Sequence, residues 1–210
     1  MSIFKKRKSM VWNMLAINEE FVSVQGEGKN TGVLQYFVRT QGCAVGCYFC
    51  DTKYTWKERD AITDEYDIVK RVLESGAKWC CITGGEPLEQ DIGKLIYLLN
   101  FNNIKTQIET SGMYYSPIVA KIDWVCCSPK MLYSKKKFED KILEDTDEVK
   151  CVVTNEKDLD FYLDYFKDFK GDKVFQPVDS DKKKISKMIV DRKLNDWKVM
   201  IQQHVIMELR

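Results

Sequence analysis

Cys43, Cys47 and Cys50 lie within one stretch, GCAVGCYFCDTKYTW, that runs from Gly42 to Trp56. Three residues fill the first gap and two the second, so one short loop can aim three thiolates at a common centre. Thiolates are the usual ligands of iron–sulfur clusters and of structural zinc. A closed zinc site takes four ligands, and the single histidine, His204, is remote in sequence. A [4Fe–4S] cube held by three cysteines instead leaves one iron open to a small molecule. A zinc knuckle that borrows a distant cysteine, or plain loop cysteines, are the competing readings of this spacing.

The surrounding residues narrow the choice. A triplet with these gaps and an aromatic residue, Phe49, before its last cysteine resembles the radical S-adenosylmethionine (SAM) signature. The run Ser23-Val24-Gln25-Gly26-Glu27-Gly28, then Phe37-Val38-Arg39, Gly42-Cys43 and Cys50-Asp51-Thr52 resembles the 7-carboxy-7-deazaguanine synthases. That family makes the deazapurine precursor of queuosine and related bases. The similarity extends in patches from about Asn18 to His204.

The resemblance implies that Cys43, Cys47 and Cys50 hold a [4Fe–4S] cluster whose open iron chelates the methionine part of SAM. One electron then cleaves SAM to a 5′-deoxyadenosyl radical, which the protein places and shields. Gly84-Gly85-Glu86-Pro87 is the implied methionine-binding loop. Glycine lets backbone approach a ligand closely, and Glu86 can accept from an ammonium; a strand-to-helix turn with proline at its first helical position is the plainer reading. Phe49, Cys50 and Asp51 are the implied lining on the adenosine side. Ser128-Pro129-Lys130 and Gln176-Pro177-Val178-Asp179 match two further SAM-binding stretches, and serine and glutamine suit ribose hydroxyls and adenine edges. A proline turn explains either stretch alone.

For Thr52 the resemblance implies a Mg²⁺ ligand that also meets the substrate carboxylate, in keeping with the hard oxygen ligands of that ion. A hydroxyl capping the loop is the alternative. The implied substrate is 6-carboxy-5,6,7,8-tetrahydropterin. Arg39 can grip a carboxylate or carbonyl with its fork. Val24, Gln25, Gly26 and Glu27 offer hydrogen bonds to the pterin edge, and Thr83 and Glu109 stand at strand ends. His204 and the terminal carboxylate of Arg210 complete the implied pocket, although Val205 stands where the family often has lysine. The implied reaction abstracts hydrogen from C6, contracts the ring, releases ammonia and regenerates SAM. A reductant such as flavodoxin or ferredoxin, and a homodimer, come with the family.

Two other classes share some of these features. A glycyl-radical activating enzyme has the triplet and a glycine-rich loop but acts on a protein; Gln25-Gly26-Glu27 and Cys50-Asp51-Thr52 speak against it. A non-enzymatic, zinc-stapled module could use Lys135–Lys137 on RNA.

The elements that must position these residues alternate. Strands are expected over 33–40, 78–83, 104–109, 123–127, 149–153, 174–175 and 199–202. Helices are expected over 64–74, capped by Thr63 and stopped at Gly76, and over 91–99, 159–169 and 183–191. The stretch 131–147, rich in lysine, reads as a loop with a short exposed helix. Such alternation predicts an α/β fold with a parallel sheet and crossover helices. Seven or so strands are few for a closed eight-stranded barrel. An open, partial (β/α) barrel is therefore expected, and the resemblance implies the same architecture, that of the radical SAM type, as a single domain over 1–210 with 1–16 as an N-terminal extension.

Composition agrees with this and excludes other classes. Lysine plus arginine number 33 against 32 aspartate plus glutamate, a net charge of +1 that calls for neither nucleic acid nor an anionic membrane. No apolar run approaches the ~20 residues that span a bilayer. The first residues carry no signal-type cleavage site. Eight cysteines then point to a reducing, cytoplasmic compartment. Cys80, Cys81, Cys126, Cys127 and Cys151 sit in apolar runs and read as small buried hydrophobes.

Overall fold

The computed structural model describes residues 14–57, 62–178 and 182–209. Its elements, in order, are β1 (Leu15–Val24), β2 (Leu34–Thr40), β3 (Ile62–Thr63), α1 (Glu65–Ser75) and β4 (Trp79–Gly84). Next come α2 (Gly93–Phe101), β5 (Lys105–Thr110), β6 (Trp124–Cys127), β7 (Glu148–Val153) and α3 (Glu156–Tyr165). The described chain closes with β8 (Asp172–Pro177), α4 (Lys182–Asp191), β9 (Lys198–Val199) and the single turn α5 (Gln203–Ile206).

One sheet holds all the described strands in the order β3-β1-β2-β4-β5-β6-β7-β8-β9. From β2 to β9 every neighbouring pair is parallel. Each parallel strand lies beside its predecessor, so the crossovers all advance in one direction and their helices collect on one face. That is the winding of a (β/α) barrel, here left open. At the open edge β1 runs antiparallel to both β2 and β3.

The helices form where apolar spacing and caps coincide. In α1, Ile68, Val69 and Val72 are buried; Asp64 accepts from the amide of Tyr66, and Gly76 ends the helix at φ 74°. Asn155 caps α3 by accepting from the amides of Lys157 and Asp158. Burying each such aliphatic side chain contributes roughly 1.5–3 kcal/mol. α1 and α2 cover β2, β4 and β5 through Val72, Ile82, Leu95 and Ile108. α3 and α4 cover β7 and β8 through Tyr162, Phe166 and Ile185. There Phe175 stacks on Trp197 with ring centroids 3.9 Å apart.

Several expectations shift. The N-terminal extension expected to reach residue 16 ends earlier, because Leu15 is buried and opens β1; residues 1–13 lie outside the described residues. β1 itself was not expected, because its charged pair Glu19–Glu20 hides the alternation; both carboxylates are held by arginines, Arg39 and Arg71. The cap of α1 is Asp64 and not Thr63. The last strand is shorter than 199–202. In the 131–147 stretch a 3₁₀ turn spans Asp140–Glu144, and Phe138 and Ile142 are buried.

The vicinal cysteines face opposite ways, as adjacent strand residues must. Cys80 and Cys127 join the packing beneath the helices. Cys81 turns inward, with its sulfur 3.9 Å from the side-chain amide of Gln25.

Candidate active site

A cavity of about 940 Å³ opens over the C-terminal ends of the parallel strands. It is walled by the cysteine loop after β2, by Thr83-Gly84-Gly85-Glu86 at the end of β4, and by Glu109 on β5. Ser128 and Lys130 follow β6, Lys150 lies on β7, and Gln176 and Pro177 close β8. Strand ends of this kind are where (β/α) folds carry their sites.

All three cysteines of the triplet are free and line this cavity. Their loop is pinned by its backbone: the Gly42 amide donates to Thr55 O at 2.7 Å and the Ala44 amide to Glu89 Oε1 at 2.7 Å. The β4 loop docks against it, with the Glu86 amide 2.9 Å from Gly42 O. A Cβ on Gly85 would stand 1.8 Å from that same oxygen, so only glycine allows the two loops to touch. Burial pushes the Cys43 thiol up to about 11 and raises Cys47 as well. A metal centre must therefore displace protons to bind here.

The donor set fits an iron–sulfur cube better than zinc. Among the described residues no three His, Cys, Asp or Glu side chains are drawn together for a single ion. Among the described residues the cavity lining carries these three cysteines and no fourth, and three thiols on one short loop suit a cluster that leaves one iron open. Beside it, Phe49 meets Tyr133 edge-on at 4.7 Å, and the Tyr133 hydroxyl donates to Asp158 at 2.6 Å. Phe49 is thus held over the cavity from α3. Thr52 Oγ1 lies 3.5 Å from Cys50 Sγ on the same wall.

Glu86 is buried and accepts from the Thr110 hydroxyl at 2.7 Å, the Ser111 amide at 2.7 Å, the Ser111 hydroxyl and the Leu88 amide at 3.1 Å. Burial raises its carboxyl against those hydrogen bonds. Both oxygens are engaged within the protein, which makes Glu86 the brace that ties the glycine loop to β5. Ser128 donates to Lys150 O at 2.9 Å and also meets Lys130. Pro129 does not line the cavity; its carbonyl accepts from the Tyr162 hydroxyl at 3.1 Å.

The opposite wall is polar. Glu27 and Glu109 flank Lys150, whose ammonium contacts Glu27 and stands 2.7 Å from Glu109 Oε2. Gln107 donates to Glu109 Oε1 at 2.8 Å, and Gln25 reaches it at 3.4 Å. Gln202 donates to Glu27 Oε1 at 2.6 Å and also reaches Asp51 at 3.3 Å. Burial pushes the Glu27 carboxyl up, but the Lys150 charge and hydrogen bonds from Lys150 and Gln202 outweigh it and hold it near 2. Arg39 is oriented by Glu19 at 2.8 Å and lies over the Phe21 ring. His204 packs directly on Gly26.

Val24, Thr83, Asp51 and Val178 also line the cavity, whereas Asp179 and Arg210 lie outside the described residues. Sequence reasoning missed Lys150, Gln107 and Glu89. For Lys150 a signal existed: a charge inside the apolar run Val149–Val153. Glu89 and Gln107 carry no local signal, because only the fold brings them to the loop and the wall.

The radical SAM superfamily profile matches residues 37–201. The 7-carboxy-7-deazaguanine synthase of Flavobacterium psychrophilum is 34% identical over 195 residues, covering 91% of this chain and 90% of that protein. The synthase of that name from Escherichia coli K12 is 31% identical over 215 residues, covering 90% and 96%. Among solved structures, QueE from Escherichia coli superimposes with a TM-score of 0.76 at 30% identity, covering 91% of this chain and 95% of that one. Streptococcus suis SuiB, with a TM-score of 0.63 at 14% identity over 78% of this chain and 47% of its own, shares the fold alone. With such similarity running nearly end to end in both sequence and fold, the chain belongs to the radical SAM superfamily and, within it, to the 7-carboxy-7-deazaguanine synthases.

Proposed function

We propose that this cavity is where 6-carboxy-5,6,7,8-tetrahydropterin is contracted to 7-carboxy-7-deazaguanine with loss of ammonia, by a radical SAM lyase. The observation that carries the assignment is one cavity with three free cysteines on one wall and paired carboxylates, amides and an arginine on the other.

Cys43, Cys47 and Cys50 would hold a [4Fe–4S] cluster, and SAM would bind beside it in the same cavity. When bound, this pair supplies a carbon radical that takes a hydrogen atom from the substrate. Gly85 admits the methionine end by leaving backbone uncovered, and Glu86 keeps that loop in shape. Phe49 offers a ring face, and Ser128, Gln176, Pro177 and Val178 offer polar and apolar contacts to the nucleoside. Lys130 adds positive charge near the carboxylate end. Thr52 presents a hard oxygen where Mg²⁺ would meet a substrate carboxylate.

The chain's own residues do the rest. Arg39, oriented by Glu19, faces the substrate with the free part of its fork. Gln25, Glu27 and Glu109 accept from the N–H edge of the heterocycle, and Thr83 and His204 bound it. The surrounding walls exclude water from a reactive intermediate. Exposed Tyr48 beside Cys47 supports electron delivery from a docked reductant protein of the flavodoxin or ferredoxin type. Exposed Val22, Leu34 and Ile62 along the antiparallel edge support a homodimer.

The test is direct. Anaerobically reconstituted protein should bind about four irons per chain. Reduced and supplied with SAM, Mg²⁺ and the carboxytetrahydropterin, it should yield the deazapurine by mass spectrometry. Iron-loaded protein that consumes SAM but forms no deazapurine would overturn the substrate.

A further inference from the structure

Lys150 is a buried ammonium in the middle of β7. Its side chain retains 6% exposure, against 14% for Glu27 and 16% for Glu109, and all three line the cavity. The three come from distant parts of the chain: the turn after β1, β5 and β7. A buried ion pair is weak evidence for stability, because desolvation offsets much of the attraction. A purely structural pair would also have no need to place both carboxylates on the cavity wall.

The hydrogen bonds divide each carboxylate in the same way. Oε2 of both Glu27 and Glu109 is held by Lys150. Oε1 takes side-chain amides: Gln202 at 2.6 Å and Gln176 at 3.3 Å for Glu27, Gln107 at 2.8 Å and Gln25 at 3.4 Å for Glu109. Both groups are therefore fixed in rotation, and two carboxylates against one ammonium leave a net negative charge facing the cavity. An ionised carboxylate has about four acceptor positions, so capacity remains for ligand N–H groups.

We propose that Lys150 is a positioning residue for the substrate: it clamps Glu27 and Glu109 into a paired acceptor for a flat heterocycle with a guanidine-type N–H edge. This rests on the reading of the cavity as a pterin site and names what sets specificity there. The Lys150 ammonium pairs with Glu27 and Glu109, whereas the SAM wall meets Lys150 only at its backbone carbonyl, through Ser128, so loss of the side chain acts chiefly on pterin binding. Other charged or titratable groups facing the clamp are Glu148, Cys81, Cys126, Arg39 and His204. None of them replaces an ammonium between the two carboxylates.

The experiment compares wild type with K150M and with K150M/E148Q. The second variant removes a neighbouring negative charge without altering Glu27 or Glu109, and so offsets the unbalanced charge that could unfold the first. Both are reconstituted, checked for iron content and SAM affinity, and assayed for KM and kcat against the pterin from pH 5.5 to 8.5. Losing a charged hydrogen-bond partner predicts a rise in KM of about 10- to 100-fold, with SAM affinity kept within about twofold. The KM defect should be largest at low pH and shrink as pH rises, because burial without Lys150 returns Glu27 to its protonated form in the acid range. A merely structural lysine would give no such pH-dependent KM. If wild type makes product while both variants keep the wild-type KM at every pH, or lose SAM and pterin affinity together, the role of Lys150 is overturned. If wild type itself makes no deazapurine, the pterin reading fails and this assignment fails with it.

Discussion

The imidazole of His204 occupies the space that a side chain on Gly26 would need: a Cβ there would stand 2.1 Å from Nδ1 and 2.7 Å from the His204 amide nitrogen. The contact is reinforced by the Gln203 amide, which donates to Gly26 O at 3.0 Å. It docks the C-terminal turn onto the strand end that carries Gln25 and Glu27. Gly26→Ala should therefore expel His204 at a packing cost of about 1–3 kcal/mol. The expected outcome is a loss of kcat/KM for the pterin of about tenfold or more, with iron content unchanged, measured by steady-state assay and iron analysis.

Gly85 makes the complementary contact on the other wall. Its added Cβ would meet Gly42 O at 1.8 Å and Cys43 Cβ at 3.3 Å, both on the short cysteine loop. Backbone cannot yield as a flexible side chain does. Gly85→Ala should push the loop away, lower iron retention after reconstitution and abolish SAM binding. Iron content and equilibrium dialysis with SAM measure both.

Cys47→Ala tests the cluster itself. Cys47 is the most buried of the three loop cysteines and packs with Val45 and Leu88 in the core. Truncation should cost about 1 kcal/mol of stability at most but remove the broad iron–sulfur absorbance and all deazapurine formation. Full turnover in Cys47→Ala, read by mass spectrometry, would refute the three-thiolate site.

Acid sensitivity follows from Glu27. Its carboxyl is held near 2 in the fold against an ordinary 4.5, so the folded state binds the proton less readily than the unfolded chain. The stabilisation is complete above about pH 4.5 and disappears as pH falls towards 2; its size is of the order of 3 kcal/mol. Urea unfolding of wild type and Glu27→Gln should differ most near neutral pH, and the gap should narrow through that acid window. A gap that stays constant from pH 6 to pH 3 would show that the charge on Glu27 contributes nothing.

Legibility in the sequence followed how local each signal is. Glu86 shows the limit: its motif is plain and its cap on the Leu88 amide is local, yet the rest of its carboxylate is spent on Thr110 and Ser111, partners that only the meeting of β4 and β5 supplies. β1 was hidden because Glu19 and Glu20 interrupt its pattern, and their arginine partners are on other elements.

What the linear chain determined by itself was chemistry set by spacing: a three-thiol loop, a glycine-rich turn after a buried strand, and alternating strands and helices whose parallel winding puts such turns at one end of the sheet. These depend on neighbours a few residues apart, where period and spacing carry the information. Only the tertiary structure decided which side chains face each other across the cavity. The clamp of Lys150 on Glu27 and Glu109, the seat of His204 on Gly26 and the contact of Gly85 with Gly42 all join residues on separate elements. Pairing across such distances is set by strand order and register, and no short stretch of sequence encodes either.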